Sequence, residues 1–398
     1  MKPVIVIPAY NRPAALHQLL KSVNQAVYPD SQTELILSLE AGASNEVKQI
    51  AKDFQFQHGK KKLIYRDRKL GVKKHIFTCA DESDQRDGVI ILEDDLTVSP
   101  YFFVYAVEAL KFYAEEDRIG GISLYSQRFN ETSQLPFIPM PGNFSVYFMQ
   151  LASSWGQAWT TKQWRLFRNW LNTYNVNEND FQADDLPQNI SKWGSDSWKL
   201  LFNIYLLKTG RTIIYPYNSY STNNSYFDGK HMMNKGDLFQ VPIGFFRDKK
   251  PSLQFPSFDE QQIRYDMFME FNPSRIAISD DFKGEDICLD LYGTKPDKLL
   301  QKYRFTVTPR LGPGPLRSFS LSLIPPELNL IYDVNHKGRS FFHLYRRDQI
   351  SALKSLSYKQ YAQLAEFYSY FKPMNRRFLK GFSIRLLQEI LKKISSVR

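Results

Sequence analysis

With 398 residues, 43% of them hydrophobic and 23% charged, the chain can bury a sizeable core and is neither a short disordered peptide nor a disulfide-stapled one. Two cysteines, Cys79 and Cys288, exclude a disulfide framework and a cysteine-based zinc site, and fit a reducing compartment. The formal charge of +11 calls for an acidic partner: nucleic acid, an anionic membrane surface or a phosphate-bearing ligand.

Val4 to Ile7 is too short, and too soon followed by Pro8, to act as a signal peptide. No apolar run approaches the roughly 20 residues of a spanning helix, so the expectation is a cytoplasmic protein without a transmembrane anchor. The first hundred residues alternate β-branched runs with helical patterns, the signature of an α/β domain. Val4 to Ile7 is the first strand. Pro13 then opens a helix at a permitted first-turn position, with Ala15, Leu16, Leu19, Leu20 and Val23 on one face. Glu34 to Leu39 and Lys62 to Tyr65 read as strands around a helix from Ser44 to Phe54 that Ser44 caps. Gly71 to Asp84 reads as the third helix, and Gly88 to Leu92 as a central strand covered on both faces.

Pro100 to Glu116 has helical spacing, and Ile119 to Leu124 reads as a strand. Phe144 to Trp170 is aromatic-rich and Asn172 to Gln188 loop-like. Ser197 to Thr209 reads as a helix and Arg211 to Tyr215 as a strand. The expected division is a first domain over 1–240, with a nucleotide half 1–100 and an acceptor half 101–240, and an appendage over 241–398. The appendage is punctuated by Pro313-Gly314-Pro315 and Pro325-Pro326 and turns helical at Tyr358 to Tyr370. Its last stretch, 376–398, sets seven basic residues against Glu389, with Ile384, Leu387, Leu391 and Ile394 on one face. That is either a helix lying on an anionic membrane or a packed C-terminal helix with solvated lysines.

Ligands of open α/β sheets bind beyond the carboxyl ends of the strands. Polar residues stand at three such ends: Pro8-Ala9-Tyr10-Asn11-Arg12, Glu40, and Glu93-Asp94-Asp95. Three consecutive acids at the end of a buried strand repel one another unless a cation or hydrogen bonds compensate. A hard ion such as Mg²⁺ or Mn²⁺ would do so, completing its shell with substrate phosphates and neutralising charge on a departing diphosphate. The alternative is an acidic cluster at the start of the helix near Pro100. Among the basic residues that follow the third strand, Lys73, together with Arg12, is the foremost candidate for a diphosphate contact.

At these residues the chain resembles a known family. Val4 to Pro13 resembles the opening strand and nucleotide loop of GT-A glycosyltransferases. Ile90 to Leu96, followed by Ser99-Pro100-Tyr101-Phe102-Phe103, is similar to the Glu-Asp-Asp form of their metal motif, as in N-acetylglucosaminyltransferase I and bacterial family 2-type relatives. Ser154-Trp155-Gly156-Gln157-Ala158-Trp159 resembles the acceptor-side Gly-Trp segment, and Trp193-Gly194-Ser195-Asp196-Ser197-Trp198 the segment supplying the catalytic base. The resemblance covers roughly residues 1 to 230.

It implies a Rossmann-like GT-A fold, a mixed sheet with helices on both faces, followed here by an α+β appendage. It also implies a metal-dependent, inverting glycosyltransferase that moves a hexosyl or N-acetylhexosaminyl group. The donor would be a UDP-sugar or another nucleotide-diphosphate sugar, and the metal Mn²⁺ or Mg²⁺. Asp95 would bind the metal, with His231 as a late ligand or else a surface histidine. Glu93 and Asp94 would face the nucleotide, with Glu40 on its base, although Glu40-Ala41-Gly42 departs from the usual Asp-Gly pair. Asp196 would be the general base, or else only the cap of the helix that follows. Trp155, Gly156 and Trp159 would contact the acceptor, the tryptophans stacking on a sugar ring or packing in the core.

The acceptor expected is a bacterial cell-envelope glycan or lipid-linked precursor, with the enzyme peripheral on the inner face of the cytoplasmic membrane. Competing readings are a catalytically silent sugar-binding or scaffold module and a nucleotidyltransferase. The latter usually carries a Gly-rich phosphate loop, and Pro8 to Pro13 has no glycine. Nucleic-acid binding has only the charge in its favour and no accompanying signature.

Overall fold

The computed structural model describes residues 1–29, 32–224, 239–245, 250–275 and 284–368. His231 and the basic stretch 376–398 lie outside the described residues. Among those described, no helix is long and apolar enough to cross a membrane.

The first half alternates as its periodicity predicts: β1 (Val4–Ala9), α1 (Pro13–Asn24), β2 (Thr33–Leu39), α2 (Asn45–Asp53), β3 (Gly59–Tyr65), α3 (Gly71–Ala80) and β4 (Gly88–Ile91). Ser44 caps α2, its hydroxyl accepting from the Val47 amide at 3.2 Å. The helix expected to run to Asp84 tightens into a 3₁₀ turn from Asp81. Then come β5 (Leu96–Val98), α4 (Phe102–Phe112) and β6 (Ile119–Ser123).

The aromatic-rich stretch, unassigned from its pattern, contains regular elements. A hairpin of β7 (Phe129–Asn130) and β8 (Leu135–Pro136) precedes β9 (Val146–Met149), β10 (Gln157–Thr160) and α5 (Thr161–Thr173). Thr160 and Gln163 close a capping box at the start of α5. The run read as loop-like includes the single turn α6 (Glu178–Phe181). Next are α7 (Gln188–Ser191), α8 (Trp198–Thr209), β11 (Thr212–Pro216) and β12 (Ser221–Asn223).

One nine-stranded mixed sheet organises these elements, in the order β13-β9-β11-β6-β10-β4-β1-β2-β3, where β13 is Arg264–Tyr265. β4, β1, β2 and β3 run parallel, while β10 enters antiparallel between β4 and β6. Alternation along each strand sends Ile5, Ile7, Leu35, Leu37 and Ile90 to one face, against α1, α2 and α4. Val4, Val6, Ile36, Val89 and Ile91 go to the other, against α3, α5 and α8. Each such fully buried aliphatic side chain contributes about 1.5–3 kcal/mol. β3 lies at the sheet edge, and its lysine-rich Lys60-Lys61-Lys62 protects that edge from pairing.

Beyond residue 284, β14 (Ile287–Leu289), α9 (Asp297–Leu300), β15 (Phe305–Thr308), β16 (Arg317–Ser320), α10 (Leu328–Ile331), β17 (Ser340–Arg346) and α11 (Tyr358–Tyr368) form an α+β appendage. Its sheet runs β14-β15-β17-β16. Ile287, Leu289, Val307, Phe342 and Leu344 join the same apolar cluster as α5 and α8, so the appendage packs directly on that face of the main sheet.

Candidate active site

The loop after β1 and the acids after β4 come together because β1 and β4 are adjacent and parallel. The Leu92 amide donates to the Val6 carbonyl at 3.1 Å, extending the pairing up to the acidic run. Arg12 reaches across from the start of α1: its Nη1 lies 3.2 Å from Asp94 Oδ1 and 2.9 Å from Asp95 Oδ2. The second oxygen of Asp95, Oδ1, is buried with no hydrogen-bond partner.

Desolvation dominates the electrostatics here. It pushes the Glu93 carboxyl up to about 8, reinforced by the charge of Asp95 and opposed by Lys199. It pushes Asp94 up to about 7, with the Arg12 guanidinium pulling the other way. Burial and the neighbouring carboxylates thus both favour the protonated form of Glu93 as long as no cation is bound.

A hard divalent ion fits this donor set, which offers carboxylate oxygens only, one of them orphaned. Among the described residues no three His, Cys, Asp or Glu side chains converge on a metal position, so such an ion would depend on substrate phosphates and water to fill its shell.

The other expected site residues are placed as follows. Pro8 is buried within β1, and Asn11 is exposed at the loop tip. Tyr10 is half-buried, with Lys69 Nζ 5.8 Å above its ring. Glu40 is 6% exposed and fully engaged: Oε1 accepts from the amides of Ala41 and Leu70, and Oε2 from that of Gly71 at 2.9 Å. It thus anchors the N-terminus of α3, where a carboxylate suits the helix dipole, and it also sits 3.8 Å from His75.

Among the described residues, Lys73 makes no ion pair with Glu93, Asp94 or Asp95. Its Nζ donates to the Ser195 carbonyl at 2.8 Å and to Asp196 Oδ1 at 3.4 Å. The Asp196 carboxylate is otherwise fully exposed, and Ser197, not Asp196, caps α8 by accepting from the Leu200 amide.

Trp155 and Trp159 part company. Trp159 is 2% exposed and packs on Trp164 and Phe202, because β10 directs it into the core; it is not positioned to meet an acceptor. Trp155 is half-buried against Tyr125 and lines a cleft open to solvent. Gly156 has φ +92°, and a Cβ there would meet Ser221 Oγ at 3.0 Å, so glycine is required for the chain to turn into β10.

Lys199, which the sequence reading passed over, and Trp193, which it named only as part of the segment around Asp196, line the same cleft. Lys199 carried a signal, as a cation in the first turn of a helix, where the dipole disfavours it.

Residues 4–166 match the family model for glycosyl transferase family 2. No curated protein sequence matches the chain. Among solved structures, it is similar to S. aureus TarS 1–349 in complex with UDP-GlcNAc, at 13% identity and a TM-score of 0.38, covering 59% of this chain and 61% of that one. The mannosyltransferase PcManGT from Pyrobaculum calidifontis in complex with GDP-Man and Mn²⁺ is 13% identical with a TM-score of 0.35, covering 54% of this chain and 55% of that one. GalNAc-T7 with UDP, GalNAc and Mn²⁺ is 13% identical with a TM-score of 0.38, covering 54% and 41%. The chain thus spans less than two thirds of each of these three structures.

The mixed sheet with helices on both faces is a GT-A architecture. Through residues 4–166 the chain resembles the glycosyltransferases of family 2.

Proposed function

We propose that this protein transfers a sugar from a nucleotide-diphosphate sugar to a glycan or glycolipid acceptor of the cell envelope, with inversion at the anomeric carbon. The observation that carries the reading is the acidic run Glu93-Asp94-Asp95 at the end of β4, set against the β1 loop inside the segment that matches the family. In this reading Asp95 and Asp94 hold a divalent ion, which neutralises charge on the leaving diphosphate when bound. Glu93 faces the donor nucleotide, which the family resemblance makes a UDP-sugar.

Asp196 accepts the proton of the acceptor hydroxyl as that oxygen attacks C1 and the bond from C1 to the phosphate oxygen breaks. Lys73 supports the role by tethering Ser195 and Asp196 to α3, so that an exposed carboxylate keeps a fixed position.

The test is incubation with UDP-glucose, UDP-galactose, UDP-GlcNAc, UDP-GalNAc and GDP-mannose in the presence of Mn²⁺, with and without EDTA. Release of nucleoside diphosphate that EDTA and Asp95→Ala both suppress supports the proposal. Absence of binding or turnover of every donor rejects it.

A further inference from the structure

The cleft beside Trp155 has a wall chemistry that speaks to the acceptor. It is lined by Gln127, Glu131, Trp155, Asn189, Trp193 and Lys199, among others, and is open to solvent. Lys199 is the second residue of α8, whose first turn holds no acid, so the helix dipole opposes the charge instead of rewarding it.

The Lys199 ammonium rests 4.3 Å from the centroid of Trp193 and 5.5 Å from that of Trp155. Among the described residues it makes no hydrogen bond or ion pair, and Glu131 on the same wall is not its partner. Two indoles therefore hold a cation in place without neutralising it. A side chain that only filled space there would need no charge.

We infer that this cleft receives an acceptor sugar carrying an anionic substituent, a carboxylate or a phosphate, which pairs with Lys199. The inference rests on the transferase reading above. The ring hydroxyls of such a sugar find partners in Gln127, Glu131 and Asn189. Asn189 already accepts from Thr132 Oγ1 at 3.0 Å, which leaves its amide hydrogens for a ligand. A charge-assisted bond made in a partly desolvated cleft distinguishes this acceptor from a neutral sugar of the same shape.

Tryptophan fluorescence of the full chain, titrated with methyl glucuronide, glucose-6-phosphate and methyl glucoside, tests the inference in wild type, Lys199→Gln and Lys199→Arg. Binding of UDP and of GDP, each with Mn²⁺, is followed in parallel. At least one charged sugar is expected to bind about tenfold or more tighter than the neutral one. The gap closes in Lys199→Gln and reopens in Lys199→Arg, and whichever charged sugar binds better identifies the anion. Equal affinity for all three sugars, binding of none, or a charge preference that survives Lys199→Gln overturns the inference. The nucleotide readout stands apart from this. If the wild type fails to bind UDP or GDP, the transferase reading fails; retained nucleotide binding without charge preference removes only the acceptor assignment.

Discussion

Arg12 is ion-paired with Asp95: its Nη1 lies 2.9 Å from Oδ2, while the other oxygen of the same carboxylate is buried and unpartnered. If Asp95 and Asp94 hold a divalent ion, as proposed, that ion would compete with Arg12 for their oxygens. Arg12 would then be available to the diphosphate. Arg12→Gln is expected to tighten Mn²⁺ binding to the nucleotide-free protein by about 3- to 10-fold, an order-of-magnitude figure for losing one partly screened ion pair. Donor binding weakens in the same variant. Electron paramagnetic resonance titration of free Mn²⁺ checks the first and calorimetry with UDP the second; unchanged or weaker Mn²⁺ affinity would refute the competition.

Asp196 is a clean site for a chemical test, because its carboxylate is exposed and supports no packing. Asp196→Asn is expected to lower kcat by about 10²- to 10⁴-fold. Donor affinity and unfolding midpoint stay nearly unchanged, since an exposed substitution shifts stability by only about 0.5 kcal/mol. A variant with near-native kcat would remove Asp196 as the base.

Glu40 presents the reverse case. Its carboxylate satisfies three backbone amides and is buried, so Glu40→Gln turns an amide N–H toward donors that need an acceptor. A loss of about 1–3 kcal/mol is expected in urea unfolding. Faster hydrogen exchange at Leu70 and Gly71 would locate the damage.

Glu327 supplies the pH dependence. It is buried in the appendage, one of its oxygens has no partner, and burial raises its carboxyl to about 7. A carboxyl raised above its unfolded value favours the fold while protonated in both states. Its contribution is intact below about pH 4.5 and is lost as pH rises toward 7. The shift corresponds to at most about 3 kcal/mol. Glu327→Gln is thus expected to gain stability relative to wild type between pH 4.5 and 8, as read from denaturant midpoints at the two pH values. A difference that does not change with pH would show that Glu327 is ionised in the fold.

The nucleotide half was legible because its strands are short β-branched runs and its helices carry the signals of Pro13 and Ser44, all local effects. The acidic run was legible because its position at a strand end follows from the parallel topology. What escaped was non-local. β10 enters antiparallel between β4 and β6, and no residue in Gln157-Ala158-Trp159-Thr160 announces that partner choice. The same insertion buries Trp159, which by composition was as good a sugar platform as Trp155. Glu40 looked like a ligand contact because strand-end position says nothing of the amides of Leu70 and Gly71, thirty residues away in sequence.

The two-residue strand β13 has an effect out of proportion to its length. Its Tyr265 and the preceding Ile263 accept hydrogen bonds from the Gln150 and Phe148 amides, covering the outer side of β9 with chain that lies beyond residue 240. A fragment ending at 240 would leave Val146-Tyr147-Phe148-Met149 as a bare, uncharged ribbon with its amides unmet. Such a ribbon recruits other copies of itself. Shortened versions of this protein made for crystallisation or assay should therefore keep at least residues through Phe271, the partner of Tyr265 in an isolated bridge, if they are to stay monodisperse.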